Sequence, residues 1–521
     1  MLKENVYSTI CPGCGLACGL YIRETVSGSG EAAVSVDFRK NSPVNAGKLC
    51  RFGMKLPRYY SEPPVSKAEG KEAAFEEAVS AAARALKAAP EEGVAFLSVG
   101  NTTNEEQLTF AELAAALGTG VETGMGIYAS FPIAAHAALS RSGSLEQIES
   151  AKQVFLFIDP YVSYPLVLRR VLKAKENGAK VISVGAKKLP LADENLCLKP
   201  REYRSALSPV PGSVLVADIH PYSDPEQVKA VLDLARGSGA KPFFLRPFAN
   251  SAGAGLLAKH TWQRTLEKLL KDIDAGKIKT LFCLNSDLLE LAPDPVYAKE
   301  VLSKLDTLIV QASRGGKLTE LADIVIAAEP FYRKRGTVLN SEGRLLANGA
   351  SSTRGFEALA KLAGAFGRQL DFESVQSEVF GAFGLEAADE FTVSSEVPIA
   401  VPCEVMKAQG SDPVLGSGSN SSSGSVSDSE PWHAPCSGIG FVYSFNPFMW
   451  HGVEDDNNFV ELNLGTVQKL GLVKGGTVRI KAPGGQADMR FRVSDVADGF
   501  VLSSKKLPRM GFRSVEVELS R

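Results

Sequence analysis

Between residues 153 and 312 the chain repeats one pattern, and that pattern limits its fold more than any other feature. "QVFLFI" (153–158) is a short apolar run, followed by the helix-periodic "PLVLRRVLKAKENG" and then by "KVISVG" (180–185). "SVLVADI" (213–219), the helix "DPEQVKAVLDLARGSG" and "KPFFL" repeat the unit. "IKTLFCL" (278–284), the helix around "VYAKEVLSKL" and "TLIVQA" (307–312) repeat it again. Apolar runs alternating with amphipathic helices predict parallel strands buried on both faces. A doubly wound sheet of this kind binds ligands beyond the carboxyl ends of its strands.

Outside that stretch the composition changes. Residues 1–60 predict a small irregular lobe, and Pro63-Pro64 marks a break. Residues 61–395 predict an α/β body of two sub-lobes. It opens with the helical "EAAFEEAVSAAARALKAA", the strand "VAFLSVG" (94–100) and the helix "NEEQLTFAELAAALG", with Thr103 or Asn104 as N-cap. Residues 396–437 contain "GSGSNSSSGSVSDSE", a flexible polar linker without the apolar residues to build a core. Residues 438–521 predict a compact β-barrel, because "TVRIKA" and "ADMRFRVS" alternate with period two around "PGG".

The cysteines are unevenly placed. Of eight in 521 residues, Cys11, Cys14 and Cys18 crowd into "CPGCGLACGL" and Cys50 stands downstream in "NAGKLCRFG". Zinc bound by four cysteines usually uses two matched C-x2-C pairs. Three ligands in one loop with a remote fourth suit a [4Fe-4S] cubane, and Gly13, Gly15 and Gly19 let the backbone wrap closely around it. Cys197, Cys283, Cys403 and Cys436 are scattered and need no pairing in a reducing compartment.

Charge excludes some classes of partner. With 57 Lys+Arg against 59 Asp+Glu, nothing calls for nucleic acid or an anionic membrane surface. "MLKENVYSTIC" holds no apolar signal core and no twin arginine, and no run of about 18 apolar residues follows. The expectation is a cytoplasmic chain without direct membrane insertion, held on the inner face only through partners. A nicotinamide or flavin site of its own is not expected, since "GTGVETGMG" lacks the strand–turn–helix context of a dinucleotide fingerprint.

Taken together, these motifs resemble the molybdopterin-dependent oxidoreductases, in that family's order and over most of the chain. "CPGCGLACGL" with Cys50 matches the N-terminal cluster motif, and "ELADIVIAAEPFYRKRGTVLNSEGRLLANG" is similar to the family's "GT-x-x-N-x-EGR" stretch. The C-terminal "FVELNLGTVQKLGLVKGGTVRIKAPGG" resembles the pterin-dinucleotide barrel, of double-psi type. The resemblance is nearest to the large iron–sulfur subunit of NADH-quinone oxidoreductase, with formate dehydrogenase catalytic subunits as the neighbouring branch. It implies that Cys11, Cys14, Cys18 and Cys50 ligate one [4Fe-4S] cluster. It offers Arg51, Asn340, Glu342, Arg344 and His451 as contacts to a molybdopterin guanine dinucleotide; the alternatives are that Asn340, Glu342 and Arg344 lock their own loop and that His451 packs beside Trp450.

Departures from the family pattern shape the expected activity. Ala129 and Ser130 in "GMGIYASFPIAAHAAL" fall where a metal-ligating thiolate and a His would sit, and His136 comes later. Cys50 is followed at once by Arg51, without the Lys-Gly insertion of relatives. "AKKLPLADENL" keeps Asp193 but loses the family's arginine–threonine pair. The expectation is therefore an iron–sulfur electron-transfer subunit of an NADH-dehydrogenase-like complex, with no catalytic residue of its own. Its partners would be other iron–sulfur or flavin subunits. The alternatives are a catalytic molybdenum or tungsten enzyme of formate dehydrogenase type, and a non-catalytic assembly scaffold.

Overall fold

The computed structural model describes residues 3–26, 32–126, 143–258, 264–385, 439–443, 446–453, 459–482, 485–503 and 516–520. Ala129, Ser130, His136, Cys403, Cys436 and the glycine–serine linker lie outside the described residues.

The first described element is an antiparallel sheet of Lys3–Ile10, Gly19–Val26 and Ala32–Asp37. Ile10 pairs directly with Gly19, so residues 11–18 form the loop of a hairpin. The sequence pattern suggests an irregular lobe here because the inward face carries a charge. Glu24 is buried among apolar neighbours and accepts hydrogen bonds from Tyr332 Oη (2.8 Å) and Tyr7 Oη (3.4 Å), with Arg333 completing its shell. A satisfied buried carboxylate breaks the apolar alternation without breaking the strand.

Two parallel sheets make the body. In neighbour order the larger contains Lys71–Glu72, Lys67–Ala68, Ile324–Ala327, Thr307–Ala312, Thr280–Leu284, Val94–Leu97 and Val121–Glu122. Its members from Ile324–Ala327 to Val121–Glu122 are parallel. After Glu122 the chain leaves this sheet, builds the smaller one, and returns at Thr280. The smaller sheet orders Glu194–Leu196, Lys180–Val184, Gln153–Leu156, Ser213–Asp218 and Lys241–Leu245, all parallel. Strand order reverses between Gln153–Leu156 and Ser213–Asp218, which opens a crevice at their carboxyl ends. Both faces are buried. Val154, Leu156, Val181 and Val216 pack on one side, and Phe155, Ile182, Leu215 and Phe244 on the other. That two-sided burial is why these strands read as unbroken apolar runs.

Thr103 caps the helix Asn104–Ala116, its hydroxyl accepting from the Glu106 N–H at 3.2 Å. The first turn of this helix is polar yet buried. Lys334 Nζ donates to Glu106 Oε2 at 2.6 Å, and the Thr337 N–H donates to Glu105 at 2.8 Å. These bonds tie the helix to the hairpin Arg335–Leu339 and Leu345–Gly349.

The C-terminal part closes as a barrel ordered Ile439–Tyr443, Phe500–Ser503, Val460–Leu462, Gly485–Val493, Thr477–Ala482 and Glu516–Ser520. Thr477–Ala482 and Gly485–Val493 form the hairpin expected around "PGG". The barrel is laced to the smaller sheet through Lys188 N–H to Asp495 O (2.8 Å) and Ala497 N–H to Ala186 O (2.7 Å). Among the described residues, no helix is long and apolar enough to cross a membrane.

Candidate iron–sulfur and cofactor site

The cysteine loop is held by backbone bonds and by a distant hairpin. Cys11 N–H donates to Cys18 O at 2.8 Å, and Ala17 N–H donates to Cys14 O at 3.0 Å. Gly15 N–H donates to Arg246 O, and Gly15 O accepts from Ser341 N–H, both at 2.7 Å. A Cβ at Gly15 would lie 2.4 Å from Ser341 Oγ and 2.9 Å from Arg246 O, so only glycine fits this approach.

Asn340 works in two directions. Its Nδ2 donates to Leu16 O at 3.1 Å, and its Oδ1 accepts from the N–H groups of Glu342 (3.0 Å) and Arg344 (2.9 Å). Glu342, pushed up by burial, accepts from Leu145 N–H at 2.9 Å. Arg344 lies 3.6 Å from Glu342 and 3.5 Å from Glu146. The "NSEGR" turn therefore locks the floor of the cysteine loop to the helix Leu145–Glu149.

The four thiols form one electrostatic group. Burial and then repulsion from Cys50 push Cys14 up to about 12. Burial, then neighbouring thiolates, push Cys11 and Cys18 well above the usual thiol range. Backbone N–H groups oppose this, from Gly13 at Cys11, Leu16 at Cys14, and Phe52 and Gly53 at Cys50. A buried set of this kind becomes thiolate only when positive charge sits among the sulfurs. Among the described residues, no three His, Cys, Asp or Glu side chains converge closely enough for a single metal ion. The four thiols couple to one another, and four cysteine ligands are the number that a [4Fe-4S] cluster takes.

Cys50 also opens onto a cavity. It precedes the short helix Arg51–Met54, and a cavity of about 300 Å³ lies against Cys50 and Arg51. Tyr161 and Lys187, just past the carboxyl ends of smaller-sheet strands, form a second wall, with Phe448, Glu461 and Arg492 from the C-terminal part as the third. The Arg51 guanidinium lies 4.7 Å from the centre of the Phe448 ring, and Lys55 Nζ lies 5.8 Å from it. Lys187 bridges Asp159 (2.8 Å) and Glu461 (3.0 Å). Burial works against Glu461, yet the Ser494 hydroxyl at 2.6 Å, Lys187 and Arg492 hold its carboxyl below the usual range. Three cations around aromatic walls suit an anionic, planar ligand. Asp193 is engaged elsewhere, with Lys175 at 2.7 Å and the Val181 N–H at 2.8 Å.

His451 is packed beneath the cysteine loop. Its Nε2 lies 3.1 Å from Pro12 O, and a carbonyl only accepts, so Nε2 carries the proton. Burial, and then the Arg314 charge, press its pKa down to about 3, which keeps the ring neutral. Arg314 also donates to His451 O at 2.9 Å. Beside it lies a smaller cavity of about 60 Å³ at the carboxyl ends of the larger sheet, lined by Asn285, Arg314 and Trp450 among others. Lys187, Glu461, Arg492 and Arg314 are not conspicuous in the sequence; the one signal is a charged residue inside a short apolar strand, as in "FVELN".

Residues 4–61 match the family model described as the molybdopterin oxidoreductase Fe4S4 domain. The F420-dependent formate dehydrogenase subunit alpha of Methanocaldococcus jannaschii is 25% identical over 66% of this chain and 67% of its own length. The chain is similar to the molybdopterin oxidoreductases, and its curated relatives are named as formate dehydrogenase subunits. The F420-dependent formate dehydrogenase 2 subunit alpha of Methanococcus maripaludis is 30% identical, but over only 35% of this chain and 29% of that protein. Acetylene hydratase from Pelobacter acetylenicus shares the fold across 99% of this chain and 100% of its own, with a TM-score of 0.62 at 12% identity.

Proposed function

We propose that the chain is an iron–sulfur electron-transfer subunit of a formate-dehydrogenase-like oxidoreductase complex. Cys11, Cys14, Cys18 and Cys50 would hold one [4Fe-4S] cluster, which stores and passes single electrons. The observation that carries this reading is four mutually coupled thiols, three of them capped by backbone N–H groups, with Cys50 at the wall of a cavity. Arg51, Lys187 and Arg492 would bind the phosphates of a pterin dinucleotide in that cavity, with Tyr161 and Phe448 against its rings. Asn340, Glu342 and Arg344 would act on the cluster loop. Partner subunits would supply the further redox centres, as the designation "alpha" of the relatives suggests for those proteins.

The second reading, a catalytic molybdenum or tungsten subunit, is favoured by the cation-lined cavity beside Cys50 and by the formate dehydrogenase relatives. Anaerobic purification followed by iron, molybdenum, tungsten and pterin analysis separates the two. About four irons per chain without pterin or heavier metal supports electron transfer alone. Near-stoichiometric pterin with molybdenum or tungsten supports catalysis. A chain purified with neither iron nor pterin would sink both.

A further inference from the structure

The ring of His451 meets the cysteine loop in a way the cofactor reading does not require. Its Nε2–H holds the carbonyl of Pro12, which lies between Cys11 and Cys14. Three rings from separate segments surround it, with centroids 5.1 Å (Phe52), 5.2 Å (Tyr59) and 5.2 Å (Phe248) away. Phe448, on the same short helix that ends at His451, packs edge-on against Phe52 at 5.3 Å. From behind, Arg314 ties the His451 carbonyl to Glu62 through bonds of 2.9 Å each. The collar closes one side of the loop, and His451 bonds to the loop backbone at Pro12 and Gly13.

We propose that His451 is a positioning residue for the iron–sulfur loop, its Nε2–H fixing the Pro12 carbonyl and thereby the electronic environment of the cluster. The inference rests on the cluster reading above. The potential of such a cluster follows the hydrogen bonds to its sulfurs and its exposure to water. The Gly13 N–H, next along from Pro12, is bonded to Cys11. Releasing the Pro12 carbonyl lets the Pro12–Gly13 peptide rotate, which weakens that N–H···S bond and admits water to the collar. A weaker N–H···S bond favours the less negative, oxidised cluster, so the midpoint falls. The entering water works in the other direction, and the buried loop makes the bond the larger influence.

The test uses the full chain purified anaerobically as wild type, H451Q and H451L, with iron content and an EPR-monitored redox titration. Glutamine keeps a donor at similar reach, whereas leucine fills the volume without one. The expected result is a lower midpoint and altered g values in H451L, and wild-type behaviour in H451Q. Loss of iron from H451L with retention in H451Q also supports the proposal. It is overturned if H451L matches wild type, or if H451Q fails in the same way as H451L. Absence of iron and of any signal in the wild-type protein would instead sink the cluster reading, and is distinguishable because it does not depend on residue 451.

Discussion

Replacing Lys334 by methionine tests the buried ion pair that joins the helix Asn104–Ala116 to the "GTVLNSEGR" hairpin. Lys334 is 1% exposed and Glu106 3%, and Nζ reaches both carboxylate oxygens. Methionine keeps the stem volume, so the loss is electrostatic rather than a packing defect. Leaving a buried carboxylate without its cation costs roughly 3–5 kcal/mol. Amides of the helix should then exchange roughly a hundred- to several-thousand-fold faster at pH 8, read by hydrogen-exchange mass spectrometry. The sign with pH follows from the carboxylate. In K334M the stranded charge disappears when the carboxylate is protonated, so the loss of stability is smallest at low pH. The deficit should therefore shrink towards pH 5, by up to about tenfold in corrected rate per pH unit. K334M/E106Q removes both charges and should recover most of the protection. A residual deficit is expected from Glu329, which burial raises and Lys334 opposes. A pH-independent change of less than about tenfold in K334M would refute the argument, because it would mean that the pair carries no uncompensated charge when broken.

Other expectations follow from the same structure. Cys14→Ser should lose most of its bound iron, checked by iron analysis and the visible absorption of the purified protein. Gly15→Ala drives a methyl into Ser341 Oγ and the Arg246 carbonyl and should cost about 1–3 kcal/mol, with reduced cluster occupancy under the same assays. Burial pushes Glu122 up to about 8, with Arg264 at 3.5 Å pulling the other way. Its folded pKa is raised, so this contribution is full below about pH 4.3 and is lost as pH rises towards 8. Glu122→Gln should flatten that part of the melting-temperature profile between pH 5 and 8.

The alternation of strands and helices was legible because each strand is buried on both sides, as Val154 and Phe155 are on opposite faces of one strand. The barrel hairpin was legible for the converse reason. In Thr477–Ala482 the buried Val478 and Ile480 alternate with the exposed Arg479 and Lys481. Two sub-lobes were legible, but which strands belong to which was not. Nothing local in "VETGMG" or "IKTLFCL" says that Val121–Glu122 and Thr280–Leu284 belong to one sheet while the described strands between them belong to another. The four cysteines announced themselves by spacing. Their supports did not, because Arg246 and Ser341 act on the loop through their backbone groups and His451 through its ring, all from far along the chain. Lys187 was hidden for a related reason. It reads as one of two lysines in a polar turn, and only the approach of the barrel gives it Glu461 as a partner.

The distances along the chain give the cysteine loop a history. Its residues are made long before the groups that support it: the Asn340 contact arrives 324 residues after Leu16 and the His451 contact 439 residues after Pro12. At ordinary rates of synthesis, about 5–20 residues per second, the second interval is on the order of half a minute to a minute and a half. Through that time the thiols are present without the hairpin floor or the aromatic collar. Whatever fills the loop thus meets an open site early and a closed one late, and arrival of the segment that carries His451 is the event that seals it.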